Sequence, residues 1–389
     1  MSFEVLEDGV KVRIGNLRSN SPILTTFQYN ISANPLKPDT TIGKQMARQL
    51  SLGVLDQSPI RRGSTAAEAL RETVQLAQAA ERFGYMRYWV AEHHNTPTFA
   101  GTAPEILIGQ IAAHTSTIRV GSGGVMLSHY SALKVAETFR ILSSFYPGRI
   151  DLGIGRAPGS DQKTAVALAH PKPVADINQF PRQVEDLVGF LANRLDGEHS
   201  FAGISAQPGP PAEGIPEIWL LGSSDYSARL AATMGLPFAF ADFFGNAGDY
   251  GPHVAVMYRE QFHPSEFLKE PRLCVAVHVI CADTDERAAY VASSMKLMVA
   301  KLRTGARRLA IVPPEEASGY LQDPYAKELI TSFTRHYVEG TPDVVRDKLF
   351  AVADRYETNE LIVATNCFAF EDRVRSYELV SQALALSPD

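Results

Sequence analysis

From Ser51 onward the chain repeats one pattern: a short apolar run, a turn signal, then a longer amphipathic run. A strand that gives way each time to a helix builds βα units, and so limits the chain to folds made from them. The strands are read at 52–59, 86–92, 117–127, 149–155, 217–222, 236–241, 272–282 and 360–365. The first helix is sharply bounded. Thr65 and Glu68 have the spacing of a capping box, Ala66, Leu70, Val74, Ala77 and Ala80 share a face, and Gly84 falls where a left-handed C-terminal residue belongs. Further helices are read at 103–115, 132–146 and 179–194, and a Gly/Pro-rich surface loop at 196–216. Eight strands, each followed by a helix, predict an α/β fold of the TIM type, a (β/α)8 barrel with insertions in the βα loops; an open doubly wound sheet is the alternative.

Residues 1–50 show no sustained period and are rich in Ser, Asn, Pro and Thr, so they are read as an N-terminal extension and 51–389 as the barrel domain. With 45% hydrophobic and 21% charged residues, the chain has the composition of a globular protein. A net charge of −6 gives no basic field for nucleic acid or an anionic membrane, which points to a small-molecule partner. Cys274, Cys281 and Cys367 are too few and too scattered for a disulfide framework or a zinc set. The first residues lack an apolar signal core, and no uncharged run is long enough to span a bilayer, so the expected location is the cytoplasm.

In such a barrel the reacting groups stand at the C-terminal ends of the strands. Glu92, His93 and His94 end the second strand, in RYWVAEHHN (87–95). Two adjacent histidines there could ligate a metal with distant partners such as Asp242 or His278, or could merely satisfy loop carbonyls. DLGIGRAPGS (151–160) does not match a dinucleotide fingerprint, because its glycines stand at 153, 155 and 159. It reads either as a strand end that admits a flat ligand beside Arg156, or as a turn with a surface arginine. VGSGGVML (120–127) places three glycines inside a strand, which suits a ring lying against backbone, an unusual peptide at Gly123–Gly124, or a bulge. In WLLGSSDYSARL (219–230), Gly222, Ser223 and Ser224 lead into a helix start that favours an anion, although a serine there can simply be the N-cap.

Taken together, WVAEHHN, RVGSGGVMLSHYSALKVAE, PGRIDLGIGRAPGSD and LGSSDYSARLAATMGLPFAFA resemble the bacterial luciferase-like family of flavin-dependent monooxygenases, over roughly residues 51–385. The resemblance implies reduced FMN at the barrel mouth, with its ring against the third strand and a non-prolyl cis peptide at Gly123–Gly124. It puts the phosphate on Arg156 and the Gly222–Ser223–Ser224 turn. It also implies that His93 serves in catalysis with Glu92 orienting it, and that the protein is a homodimer through its second and third helices. Where luciferases carry a reactive cysteine before the strand-four arginine, this chain has Gly155, which moves it towards the non-luminescent branch.

The expected activity is oxygenation of a small organic substrate with O2 and reduced FMN from a partner flavin reductase, NAD(P)H serving only that reductase. A deazaflavin (F420)-dependent dehydrogenase on the same barrel, a barrel metallohydrolase and a non-catalytic flavin-binding protein are the alternatives. The segments 243–270 and 303–340 are candidates to close over the ligand.

Overall fold

The computed structural model describes residues 5–6, 9–10, 49–156, 161–195, 197–210, 214–244, 250–306, 309–320 and 322–388. Residues 157–160, the end of the strand-four motif with Gly159, lie outside them, as do parts of the 196–216, 243–270 and 303–340 segments. Two units are distinguished, Met1–Arg48 and Gln49–Asp389. In the first, Val5–Leu6 pairs with Gly9–Val10 in a short antiparallel ladder, and the rest of the expected extension lies outside the described residues.

The second unit is a closed barrel. Its parallel strands are β1 (Ser51–Asp56), β2 (Arg87–Val90), β3 (Arg119–Met126), β4 (Ile150–Gly155), β5 (Glu217–Gly222), β6 (Phe238–Ala241), β7 (Leu273–Cys281) and β9 (Glu360–Ala364). Each pairs with the next, and β9 joins β7 to β1, so the eight-stranded sheet has no free edge. All eight expected strands are present. A ninth piece, β8 (Val338–Gly340), extends the sheet beside Val279–Cys281, inside a segment that the sequence suggested only as a lid.

The helices follow the strands. Among them are α1 (Ala66–Arg82), α2 (Pro104–Ala113), α3 (Ala132–Phe145), α4 (Gln162–Ala169), α5 (Phe180–Ala192), α6 (Asp225–Met234), α7 (Tyr250–Glu260) and α8 (Asp285–Arg303). The capping box of Thr65 and Glu68 forms, and Gly84 has φ +80°. Of the expected stripe of α1, Ala77 and Ala80 are buried and Leu70 and Val74 pack partly buried against the core, while Ala66 is exposed; Ala69, Thr73 and Leu76 are buried besides, with the Thr73 hydroxyl on Ser58 at 2.8 Å. Helix α4, capped by Asp161, interrupts what reads as a polar stretch.

Outward strand residues such as Val54, Tyr88, Val120, Leu152, Val277 and Val363 pack against the helices in one large core. Inward residues form a smaller cluster that includes Leu55, Trp89, Trp219 and Ile362. Below it, fully buried Arg87 meets Asp151 at 2.7 Å and Glu360 at 3.1 Å, while Arg272 reaches Glu217 at 2.6 Å and Glu360 at 2.9 Å. The same inward cluster holds the small residues Ala91, Ala239, Ala276 and Ala364.

Three glycines make the neighbouring packing possible. An added Cβ at Gly121 would stand 2.5 Å from Asp151 Cβ, at Gly123 2.6 Å from Leu55 Cδ1, and at Gly124 2.6 Å from the Gly153 carbonyl oxygen. The Gly123–Gly124 peptide is cis, and the β3–β4 register slips between Gly123 and Val125. The unusual peptide and the bulge are thus both present, and the space beside these glycines is filled by the protein itself.

Candidate active site

A cavity of about 820 Å³ opens at the C-terminal end of the barrel. Its wall brings His93, His94 and Asn95 from the end of β2 together with Phe99, His278 from β7, Phe243 and Phe244 after β6, Met295, Met298 and Val299 from α8, and Tyr337 before β8. Aliphatic and aromatic side chains dominate, and a few polar atoms punctuate them, as in most small-molecule sites.

The two histidines are held differently. His93 hangs from a backbone bond to the Gly101 carbonyl at 2.8 Å, and its ring lies 4.6 Å from that of Phe99. Its Nδ1 is buried and has no partner among the described residues. Burial, helped by the adjacent His94, lowers its pKa to about 4, so the ring is neutral near pH 7. His94 instead bonds through Nε2 to the buried carboxylate of Glu92 at 2.7 Å.

Glu92 also accepts from the Tyr130 hydroxyl at 2.6 Å and the Met126 amide at 2.9 Å. A carboxylate only accepts, so His94 carries its proton on Nε2. The expectation that Glu92 orients His93 is corrected here: the carboxylate serves His94 and Tyr130. Residues 92–94 follow the end of β2, and both His93 and His94 line the cavity.

Gly123, Gly124, Arg156, Gly222, Ser223 and Ser224 are not among the described residues that line this cavity. They stand on β3, at the ends of β4 and β5 and at the head of α6, on the same end of the barrel. Arg156 stacks 4.0 Å over the ring of Tyr226, in the first turn of α6, and has no carboxylate partner among the described residues. Ser224 is the N-cap residue of α6, yet its side chain makes no capping bond. A guanidinium without a carboxylate partner among the described residues and a serine hydroxyl that makes no capping bond therefore meet at one corner, a helix N-terminus where the Asp225 amide donates to the Tyr250 hydroxyl.

Beside that corner, a Cβ built on Gly155 would meet no atom within 4 Å. An open strand end, an anion-seeking corner and the orphaned Nδ1 of His93 fit a flat, phosphorylated cofactor. The sequence reading missed Tyr226 and Tyr130, whose partners lie far along the chain.

For a metal the donor set is poor. Among the described residues no three His, Cys, Asp or Glu side chains form a group able to hold an ion. His94 gives Nε2 to Glu92, and His278 gives Nδ1 to the Ala364 carbonyl.

The family model for luciferase-like monooxygenases matches residues 50–358, and the chain belongs to that family. It is 40% identical to a luciferase-like monooxygenase of Escherichia coli (strain K12), over 85% of this chain and 96% of the relative. With the N-acetyl-S-alkylcysteine monooxygenase of Bacillus subtilis (strain 168) it shares 38% identity, over 86% of this chain and 98% of that one. The crystal structure of apo-MsnO8 superimposes with a TM-score of 0.79 at 40% identity, covering 87% of this chain and 100% of that one.

At 20% identity the fold alone is shared with the oxygenating constituent of 3,6-diketocamphane monooxygenase from Pseudomonas putida, solved with FMN (TM-score 0.65, 86% of this chain and 97% of that one). At 13% it is shared with an F420-dependent secondary alcohol dehydrogenase (TM-score 0.61, 86% of this chain and 99% of that one).

Proposed function

We propose that this chain is a two-component flavin monooxygenase: reduced FMN, supplied by a separate NAD(P)H-dependent reductase, lies at the barrel mouth and a small organic substrate is oxygenated with O2. The observation that carries this reading is Arg156, without a carboxylate partner among the described residues and held over Tyr226 beside the N-terminus of α6, where Ser224 makes no capping bond and the Asp225 amide donates to the Tyr250 hydroxyl at 3.0 Å. Arg156, Ser223 and Ser224 would hold the phosphate, and Gly155 would leave room for the ring. When bound, reduced FMN supplies the electrons that activate O2.

The protein's own residues do the rest. The apolar wall of Phe99, Phe243, Met295 and Met298 keeps water from the reacting atoms. His93, neutral and in the cavity wall, can take or give a proton at the substrate, while Glu92 and Tyr130 hold His94 in one tautomer. The substrate is a compact molecule with an apolar body, a description that an alkylated thioether of the kind named for the Bacillus subtilis relative would meet.

Fluorescence titration with FMN, oxidised and then reduced, tests the reading. The reduced form should bind more tightly, and Arg156→Ala should weaken it about ten-fold or more through loss of a charge-assisted contact. If neither redox state binds, the FMN reading fails, and the same titration with a deazaflavin decides whether the dehydrogenase replaces it.

A further inference from the structure

His278 takes no part in the chemistry proposed above, yet it stands in the same cavity. It follows Cys274 and Ala276 on the inward side of β7 and is 6% exposed. Its Nδ1 lies 3.2 Å from the carbonyl oxygen of Ala364 on β9. A carbonyl only accepts, so Nδ1 carries the proton and Nε2 is left with a lone pair.

The ring cannot easily exchange these roles, because it is clamped between Phe243, 5.0 Å away, and Tyr337, 4.5 Å away. Burial keeps it neutral, with the pKa lowered to about 4 although the bond to Ala364 opposes the shift. No described residue donates to Nε2, although Gln57, Asn95 and Arg303 line the same cavity together with Phe99, Met295, Met298 and Val299. A fixed acceptor, clamped between Phe243 and Tyr337, therefore faces a cavity of mixed lining. A ligand that covers it without donating strips its water and returns nothing, whereas one that donates recovers the loss.

We infer that His278 is a specificity-determining residue: among compact apolar molecules it selects those bearing an N–H or O–H donor, such as a secondary amide or an alcohol, over their N- or O-alkylated counterparts. Taking this cavity as the substrate chamber rests on the function proposed above; the acceptor geometry does not.

The test is a matched pair, N-benzylacetamide and N-benzyl-N-methylacetamide, bound to the full-length protein without flavin and followed by ligand-observed NMR. The secondary amide should bind about ten-fold more tightly. His278→Gln, which retains an acceptor, should keep the order, and His278→Phe should bring the two close to equality. In the unsubstituted protein, histidine ¹⁵N spectra at neutral pH should show one ring with a protonated Nδ1 and a bare Nε2 that responds to the secondary amide alone.

Equal binding of the pair, binding of neither, or a preference that survives in His278→Phe overturns the inference. Because no flavin is present, a protein that discriminates the amides and ignores FMN refutes the monooxygenase reading alone. One that binds reduced FMN and treats the amides alike refutes the role of His278 alone.

Discussion

His93 and His94 adjoin in the chain and differ in what holds them, and the difference is testable. Glu92 accepts from three donors, so Glu92→Gln, whose amide has one acceptor oxygen, leaves donors unmet and frees His94 to turn. We expect the turnover rate to fall about ten- to a hundred-fold and the acid limb of kcat/KM to move, with Tyr130→Phe showing a smaller change of the same kind. A pH profile unmoved in both variants would make Glu92 a packing element only. Stability carries a second pH signature. His93 and His278 both have folded pKa values depressed to about 4, so the unfolded chain takes up their protons first as pH falls. Their neutral burial costs nothing above about pH 6.5 and lowers stability as pH drops from there towards 4, by up to roughly 3 kcal/mol for each ring. Urea midpoints measured across that interval should decline, and the decline should shrink in His278→Phe; a flat profile would mean that both rings titrate in the folded chain as they do in the unfolded one. Buried Asp56 acts in a more acidic window. Burial raises its pKa, but Arg373 at 2.6 Å, Tyr88 and the Ser58 amide outweigh that and hold it below the usual carboxylate range, so its contribution is lost only below about pH 4. Of these residues, the sequence exposed Glu92, His93 and His94 because they end an apolar run. It hid Tyr130 and offered His278 only as a distant metal partner, since their hydrogen-bond partners stand 38 and 86 positions away and no local pattern records such a contact.

Strand β4 shows how an element carries two demands at once. At Gly153 an added Cβ would overlap the carbonyl oxygen of Ser122 and stand 2.8 Å from Leu221 Cδ1, whereas at Gly155 it would meet no atom within 4 Å. Gly153→Ala should therefore lower the melting temperature sharply, by the equivalent of about 3 kcal/mol or more, or prevent folding. Gly155→Ala should melt like the parent and yet weaken reduced FMN, because the space it fills is the one proposed for the ring. Equal FMN affinity in Gly155→Ala would place the ring elsewhere. The same contrast explains which elements were legible. The eight barrel strands are continuous apolar runs punctuated by Gly and Pro, a signal carried by each strand's own residues. Strand β8 has three residues and exists because β7, with nine, projects far enough for Val279–Cys281 to offer it a partner. The stripe of α1 was legible at Ala77 and Ala80, whereas the burial of Thr73 depends on its bond to Ser58, 15 positions away, which no local pattern records.

Across the whole barrel the two ends divide the labour. The N-terminal end is closed by Arg87, Arg119 and Arg272 against Asp151, Glu217 and Glu360, with Trp219 stacked by Arg87 and Arg272 at 4.9 Å each. The C-terminal end opens on the cavity. Arg87→Met removes the central cation and leaves carboxylates buried without it, which should cost about 3–5 kcal/mol in urea unfolding while the His278 amide preference survives below the melting point. The outer surface carries a further demand. On the neighbouring helices α2 and α3, Ile106 is 66% exposed, Phe145 73% and Ile141 43%, with Ile141 and Phe145 one turn apart. Such a group of bare apolar side chains on two packed helices supports the proposal that a second copy covers them in a two-fold dimer. Symmetry places each residue in the interface twice, so Phe145→Glu deletes two burials worth roughly 1.5–3 kcal/mol each and adds two unpaired charges. Sedimentation velocity at micromolar concentration should show a dimer for the parent and a monomer for Phe145→Glu, a shift of a hundred-fold or more in Kd for about 3–6 kcal/mol. Tyr325→Glu, at a 76% exposed site on the separate helix Pro324–Phe333, should leave the dimer intact. A parent that sediments as a monomer removes the dimer from the proposal, and dissociation by Tyr325→Glu but not by Phe145→Glu moves the interface to the other side of the barrel.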